Sequence, residues 1–403
     1  MTVTVKSAEP AAHSKSEERR ALGVSCGAHA LHDGYTDLVY VMLPIWQAEF
    51  GLGFAALGLM KTVFSGALAS FQIPAGFLAE RYGMALVLAF GTALVGIGYC
   101  FAGFSNGVVT LVAALFVGGL GASVQHPLAS SLIAQAFAGA RSLKALGTYN
   151  FAGDIGKMTL PAAASLLFVV LPWREALVLL GSLGVVAAIA IFVLIPRLRE
   201  AAAAPKKTED TARSGAGGRL QAFGFPLLLS VGVLDSATRM AFLTFLPFVL
   251  TAKGASLPTI GLALTLVFAG GAAGKLVCAF IGARIGAVAT VWLTESVTAV
   301  GIVALLPLPL EAAMVLLPLV GVALNGTSSV LYGSVPDLVA PEKRARAFGI
   351  FYTGTIGAGA VSPAVYGLLG DFVGVTAALV VVGAAVLLTL PLTLMLRPAL
   401  RAV

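Results

Sequence analysis

The residues most able to do chemistry in this 403-residue chain lie in its least polar stretches. His29, Asp33 and Asp37 follow one another at intervals of four, with His32 beside them. On a helix that spacing puts the first three on one face. A carboxylate in apolar surroundings, or a histidine, can change charge near neutral pH. Asp33, Asp37 and His32 are therefore candidates to carry a proton, and His29 to contact a ligand. The competing reading is a structural polar network tied to other helices. Asn150, Asp154 and Lys157 repeat the theme, next to Tyr149. Here Asp154 is a further proton carrier, and Tyr149, Asn150 and Lys157 are ligand contacts. The i, i+3 Asp154–Lys157 spacing also allows a self-neutralising pair. Asp235 and Arg239, at i, i+4, have the same ambiguity. A guanidinium stays charged and its fork suits carboxylates and phosphates, which makes Arg239 the foremost anion-binding candidate.

Other polar residues are scattered through the apolar sequence. In Gln125-His126-Pro127 the proline bends a helix and frees a carbonyl one turn earlier. That places Gln125 and His126 at a kink, as ligand contacts or as core residues. Asn325 and Tyr332 offer hydrogen bonds to a ligand. Lys275 and Lys61 are both candidates to face a cavity, and Lys61, nearer the outer surface, can alternatively snorkel. Glu295 reads as a structural partner for a lysine or arginine.

These side chains need a scaffold, and the composition says what kind. Hydrophobic residues make up 59% of the chain and charged ones 11%. Soluble domains carry about 25% charged residues. A disordered chain is excluded by the same numbers. Apolar runs bounded by Gly, Pro or charge are centred near Asp33, Gly66, Leu94, Ala122, Ile155, Val185, Ser236, Ala269, Val297, Leu324, Ala358 and Ala384. Each is long enough for the about 20 residues that a membrane-spanning helix needs. The expectation is an all-α membrane protein of twelve transmembrane helices.

Charge sets the orientation. The chain holds 25 Lys and Arg against 18 Asp and Glu, a net charge of +7. Nineteen of the 25 fall in the two tails and in alternate loops, including the run from Arg197 to Arg219. The intervening loops hold only Arg174 and Lys253. This bias places both termini in the cytoplasm. It also explains the basic excess without nucleic acid. Cys26, Cys100 and Cys278 fall in apolar runs without metal-ligand spacing and read as packing residues. The first helix, rather than a cleaved leader, is expected to act as the insertion signal.

The two halves look alike. Asp33 and Leu43-Pro44 are echoed by Asp235 and Leu246-Pro247; Ala145-Leu-Gly147 by Ala347-Phe-Gly349; Pro161 by Pro363; Arg81-Tyr-Gly83 by Arg284-Ile-Gly286. Between the halves lies a basic, Ala- and Gly-rich stretch that reads as a flexible linker. The expected division is an N-tail over 1–20, a six-helix bundle over 21–195, a cytoplasmic linker over 196–222, a second six-helix bundle over 223–396 and a C-tail over 397–403. Repeated halves with a site between them near the midplane are the plan of many secondary transporters. Acidic and basic residues nearly balance inside the bilayer, which disfavours a simple ion channel. No phosphate-cradling Gly-Lys-Ser/Thr loop, nucleophile elbow or His-Glu-x-x-His pair occurs.

Gly76-Phe-Leu-Ala-Glu80-Arg81-Tyr-Gly83 resembles the signature loop that joins the second and third helices of the major facilitator superfamily. Glu80 stands where Asp is usual, and in the echo Ala283 replaces the acid. Within that superfamily the chain is most similar to the fosmidomycin-resistance-type transporters. Three stretches carry this resemblance: His29-x-x-His32-Asp33 with Leu43-Pro44; Gly119-x-Gly121-x-Ser123-Val124-x-His126-Pro127-x-x-Ser130-Ser131; and Asn150-Phe151-x-Gly153. It departs at Leu128, Asp154 and Lys157. The resemblance implies two pseudo-symmetric six-helix bundles working by alternating access, with Gly76, Glu80, Arg81, Gly83 and Arg284 in gating. It implies a monomer in the bacterial inner membrane, with a small-molecule substrate, protons and lipid as partners. The energy source is then a proton gradient, with no cofactor and no metal. Proton-coupled efflux of a small anionic or polar drug or metabolite is the leading expectation. Proton-driven uptake of a small organic anion is the alternative. A membrane-embedded enzyme built on His29, His32 and Asp33 is the remote one.

Overall fold

The computed structural model describes residues 14–137, 140–196, 219–340 and 343–401. The first 13 residues of the expected N-tail, nearly all of the linker and the last two residues lie outside the described residues. All regular structure among the described residues is helical. The elements are α1 (Lys15–Phe50), α2 (Phe54–Ser70), α3 (Gln72–Tyr82), α4 (Met84–Gly103), α5 (Val108–Ala122), α6 (Gln125–Ala136), α7 (Ala140–Val170) and α8 (Trp173–Leu194) in the first half. The second half has α9 (Arg219–Ala252), α10 (Leu257–Ile285), α11 (Ala287–Leu305), α12 (Leu310–Leu338), α13 (Arg344–Val373), α14 (Val375–Val386) and α15 (Thr389–Arg401).

Three of the twelve spans are broken. α2 and α3 meet at Phe71 with a bend of 44°. α5 and α6 form one span interrupted just before His126-Pro127, and α14 and α15 form another. Ten stretches are long and apolar enough to cross a membrane, and the α2–α3 pair makes eleven. The twelfth span is α1, 36 residues long, whose histidines and aspartates together lower its hydropathy. α1 begins at Lys15, inside the expected tail. Ser14 and Glu17 form a reciprocal capping box there, with Glu17 N donating to Ser14 Oγ and Ser14 N to Glu17 Oε2. It ends at Gly51, whose φ of 63° is the left-handed conformation that glycine adopts without penalty.

Packing follows from small residues. α1 lies along α7, α4 along α8 and α10 along α12. Gly156 rests on the backbone of Ala30, Gly96 on Gly181, and Gly274 on Val322, so each pair of helices meets backbone to backbone. The two bundles join along two seams, α2 with α13 and α7 with α10. Both are tight toward the end of the molecule opposite the chain termini, where Gly367 meets Phe54 and Gly261 meets Ser165.

Candidate functional site

α1 runs through the centre of the first bundle, and its polar face looks toward α6, α7 and α9. The cluster begins with His29. Its Nδ1 lies 2.8 Å from the carbonyl of Tyr149 on α7. A carbonyl only accepts, so Nδ1 carries the hydrogen and Nε2 is turned to Asp33 Oδ1 at 3.4 Å. The His29 ring stacks on the Tyr149 ring with centroids 3.9 Å apart. His32 Nε2 approaches the same oxygen of Asp33 at 3.8 Å. His126, delivered by the break before Pro127, sets its ring edgewise against both histidines. Gly153 makes this possible: a Cβ there would lie 2.6 Å from Asp33 Oδ2 and from the His29 ring.

The charge pairing differs from the sequence expectation. Asp154 and Lys157 do not neutralise each other. α7 lies between α1 and α10, and its two charges part to opposite neighbours. Lys157 Nζ is 3.4 Å from Asp33 Oδ2 on α1. Asp154 instead binds Lys275 of α10 through both oxygens, at 2.6 and 2.8 Å, which makes an ion pair between the two bundles. Asp235 and Arg239 form no ion pair either. Asp235 turns toward Glu295 on α11, and Arg239 has no carboxylate within ion-pair distance among the described residues. Glu295 therefore lacks the basic partner expected of it.

Between the bundles lies a cavity of about 200 Å³. Its walls include His32, Asp33 and Asp37 from α1, His126 from α6, Lys157 from α7, Arg239 from α9 and Tyr332 from α12. Lys61 lines it too, which decides for its cavity reading over snorkelling, whereas Lys275 is turned to Asp154 and is not among the lining residues. Lys61 is 2% exposed, donates to the carbonyl of Thr36 at 2.9 Å and lies over the Tyr40 ring. Thr36, Gln72, Ser236 and Thr355 are further lining residues that sequence reasoning passed over. Their hydroxyls and amide look like any others in a helix, and only packing shows which face the cavity.

Six expected ligand contacts do not reach the cavity wall. Tyr149 is buried beneath His29 and supports it. Gln125 is buried beside Val124 and Thr92 rather than in the cavity. Asn150 is exposed, and Asn325 donates to the Gly321 carbonyl one turn back, against Gly271 of α10. Asp235 and His29 stand just behind the lining residues. Among the expected gating residues, Arg81 stacks on Tyr82 and Arg284 on Phe280, both exposed. Gly83 takes a φ of 88°, which suits a glycine at the turn into α4. Gly76 has open space around it, and Glu80 is exposed. Neither Glu80 nor Arg81 makes an ion pair with the second bundle among the described residues.

His29, Asp33 and His126 could each offer one ligand atom to a metal, all within 4.8 Å of one another. The Lys157 ammonium already occupies Asp33, and its fixed charge opposes a dication at that point.

Comparison with known proteins agrees with this architecture. The Major Facilitator Superfamily profile matches residues 26–230 and 228–402. A probable sulfoacetate transporter, SauU, of Cupriavidus necator is 28% identical over 384 residues, covering 88% of this chain and 87% of that protein. The fosmidomycin resistance protein of Escherichia coli is 26% identical over 360 residues, covering 87% and 86%. A crystal structure of a bacterial homolog of the human lysosomal transporter Spinster, inward-facing and occupied, superimposes with a TM-score of 0.77 at 15% identity. It covers 97% of this chain and 98% of that one. A duplicated twelve-helix scaffold with a charged cavity between its halves, and full-length likeness to transporters, place this chain in the Major Facilitator Superfamily as a multi-pass membrane transporter rather than an enzyme.

Proposed function

We propose that the protein carries a small organic anion across the cytoplasmic membrane by alternating access, coupled to protons. The observation behind the anion is Arg239. Its partly buried guanidinium lines the cavity with no carboxylate in ion-pair range and no partner for its buried Nε among the described residues. Lys61, more deeply buried, donates to a carbonyl and lies by the Tyr40 and Phe64 rings, with no carboxylate in ion-pair range among the described residues. A buried cation without a counter-ion is costly. A carboxylate, sulfonate or phosphonate would supply the missing charge, and a guanidinium binds such groups through two parallel hydrogen bonds. The cavity volume suits a molecule of a few heavy atoms. Two full-length relatives are named for sulfoacetate and for fosmidomycin, which are small acids.

Asp33 is the proposed proton carrier, with Asp37 and Asp154 behind it. Lys157 bridges Asp33 and the cavity. A proton arriving on Asp33 would cancel its charge and release the Lys157 ammonium to a bound anion. Without that proton, moving Lys157 away would leave a buried carboxylate without its fixed cation, at a cost of roughly 3–5 kcal/mol. Proton and anion therefore load together. Tight seams at the end opposite the termini leave the terminal end for entry, which is the cytoplasmic side under the positive-inside bias. Likeness to a resistance protein favours export. The three basic side chains on the wall would serve uptake of an anion equally well.

The test is flux in proteoliposomes under an imposed pH gradient, with sulfoacetate and fosmidomycin as first substrates. Arg239→Ala is expected to abolish transport, and Asp33→Asn to abolish accumulation against a gradient while sparing exchange. Wild-type flux by Arg239→Ala would overturn the anion site. The sign of the gradient that drives accumulation assigns the direction.

A further inference from the structure

One charged pair lies outside the cavity and takes no part in that scheme. Asp235 is 4% exposed and Glu295 1% exposed, deep in the second bundle. Their carboxyl groups face each other as close neighbours, with Thr327 of α12 alongside Glu295. Thr327 Oγ1 in turn donates to Thr294 Oγ1 at 2.7 Å. No lysine or arginine comes within ion-pair distance of either acid among the described residues. Glu295 Oε1 is buried without a partner, and so is Thr298 Oγ1 one turn along α11.

Ionised carboxylates accept hydrogen bonds and cannot donate them. Two of them in contact repel, and the low-dielectric interior makes that repulsion large. An orphaned oxygen on a charged, buried Glu295 would add a further desolvation penalty. A single hydrogen between the two carboxyl groups relieves the repulsion and gives the contact a donor, and placed on Glu295 it leaves the unpartnered oxygen on a neutral group. We infer that Asp235 and Glu295 together bind one proton, forming a second proton site in the second bundle, distinct from Asp33.

The surroundings fit one proton rather than two or none. Arg239 lies one turn from Asp235 on α9 and supplies a single positive charge in the neighbourhood. Tyr332 is the titratable group facing from α12. On α10, Lys275 is turned to Asp154 instead. α14 carries no titratable residue. The singly protonated pair has one negative charge, which Arg239 balances at longer range. Loss of that proton would put a second negative charge one turn from Arg239 and weaken its hold on an anion. The pair would then couple anion binding to pH from behind the cavity, a consequence that rests on Arg239 being the anion site proposed above.

Infrared difference spectra of the full-length protein in lipid test the pair directly. At neutral pH the wild type is expected to show a carboxylic-acid C=O band. Glu295→Gln, which keeps the shape and gives Asp235 an amide donor, is expected to remove it. Asp235→Asn should do the same if Glu295→Gln fails to fold. A band that survives both variants, or disappears only in Asp33→Asn or Asp37→Asn, would overturn the assignment. So would sodium-dependent thermal stabilisation lost in Glu295→Gln, which would mean that the pair holds a metal cation. Stabilisation by sulfoacetate, measured at rising pH, is the second readout. It should decline in the wild type and stay level in Glu295→Gln. If sulfoacetate stabilises neither protein but the band behaves as expected, the choice of substrate fails and the proton pair stands.

Discussion

The two seams between the bundles are built differently. Along α2 and α13 the contact is backbone on backbone. Gly58 sits on the carbonyl of Pro363, Gly367 on Phe54, and the crossing polar contact is Asp371, whose carboxylate accepts from Phe54 N at 2.6 Å and Ala55 N at 3.0 Å. Along α7 and α10 small residues also meet, at Gly261 and Ser165, but charge crosses the seam midway in the Asp154–Lys275 pair. Alternating access needs both seams to open on the same face. One is held mainly by shape, with the exposed Asp371 carboxylate at its end. The other is held partly by charge and lies next to Lys157, so it can respond to what the cavity binds. Under the proposed proton-coupled alternating access, the α7–α10 seam would convert protonation or substrate binding into movement, and the α2–α13 seam would follow it.

The largest test of that contrast is to remove a charge. Lys275→Met leaves Asp154, 11% exposed on its side chain, without its cation. The expected cost is about 3 kcal/mol, the lower end for a broken buried pair, because Lys275 itself is 39% exposed. It should appear as a large fall in melting temperature and in flux. The double variant Asp154→Asn/Lys275→Met should regain most of the stability, since neither charge is left stranded. A double variant as unstable as the single one would show that the pair is not a unit.

Shape is tested next. Gly58→Leu places a side chain where the Pro363 backbone lies. Overpacking costs about 1–3 kcal/mol, here borne by the closed seam alone. The equilibrium should shift toward forms open at the end opposite the termini. Spin labels flanking α2 and α13 should report a longer distance there, with the α7–α10 ion pair still formed in the closed fraction. Unchanged distances would mean that the α2–α13 contact is not what holds that end shut.

The contrast between the seams also marks what could be read from sequence. Apolar runs located the spans, and even α1, which hydropathy rejects, was visible because its carboxylates recur with the helical period. The residue types of the site were legible for the same reason: a charge in a long apolar run stands out. Partners were not legible. Asp154 and Lys157 are neighbours in sequence, and only the position of α7 between α1 and α10 separates them. Lys61 could face the cavity or snorkel, and only the placing of α2 beside Tyr40 decides between them. Asn150 and Asn325 have the right chemistry but the wrong face, and helical phase alone could not say which face meets the cavity.

The smallest expected effect concerns the one polar contact of the shape-held seam. α2 starts after Gly53, which has no side chain to cap the free N–H groups of the first turn. Asp371 of the other bundle caps them instead, so the N-terminus of α2 is satisfied only while the seam is closed. The carboxylate is exposed, and a charge at a helix N-terminus is worth about 0.3–1 kcal/mol there. Asp371→Ala should therefore shift the closed-to-open ratio by roughly 2–5-fold, and salt should mute the difference from wild type. Gly53→Ser in the Asp371→Ala background separates the two roles. Its hydroxyl can cap α2 from within its own bundle, at a backbone conformation (φ −73°, ψ 167°) that serine adopts readily. Thermal stability should recover while the label distance between α2 and α13 stays in the open-shifted range. If that distance also returns to the wild-type value, Asp371 acts by ordering α2 rather than by tying the bundles together, and the α2–α13 seam is held by close packing alone.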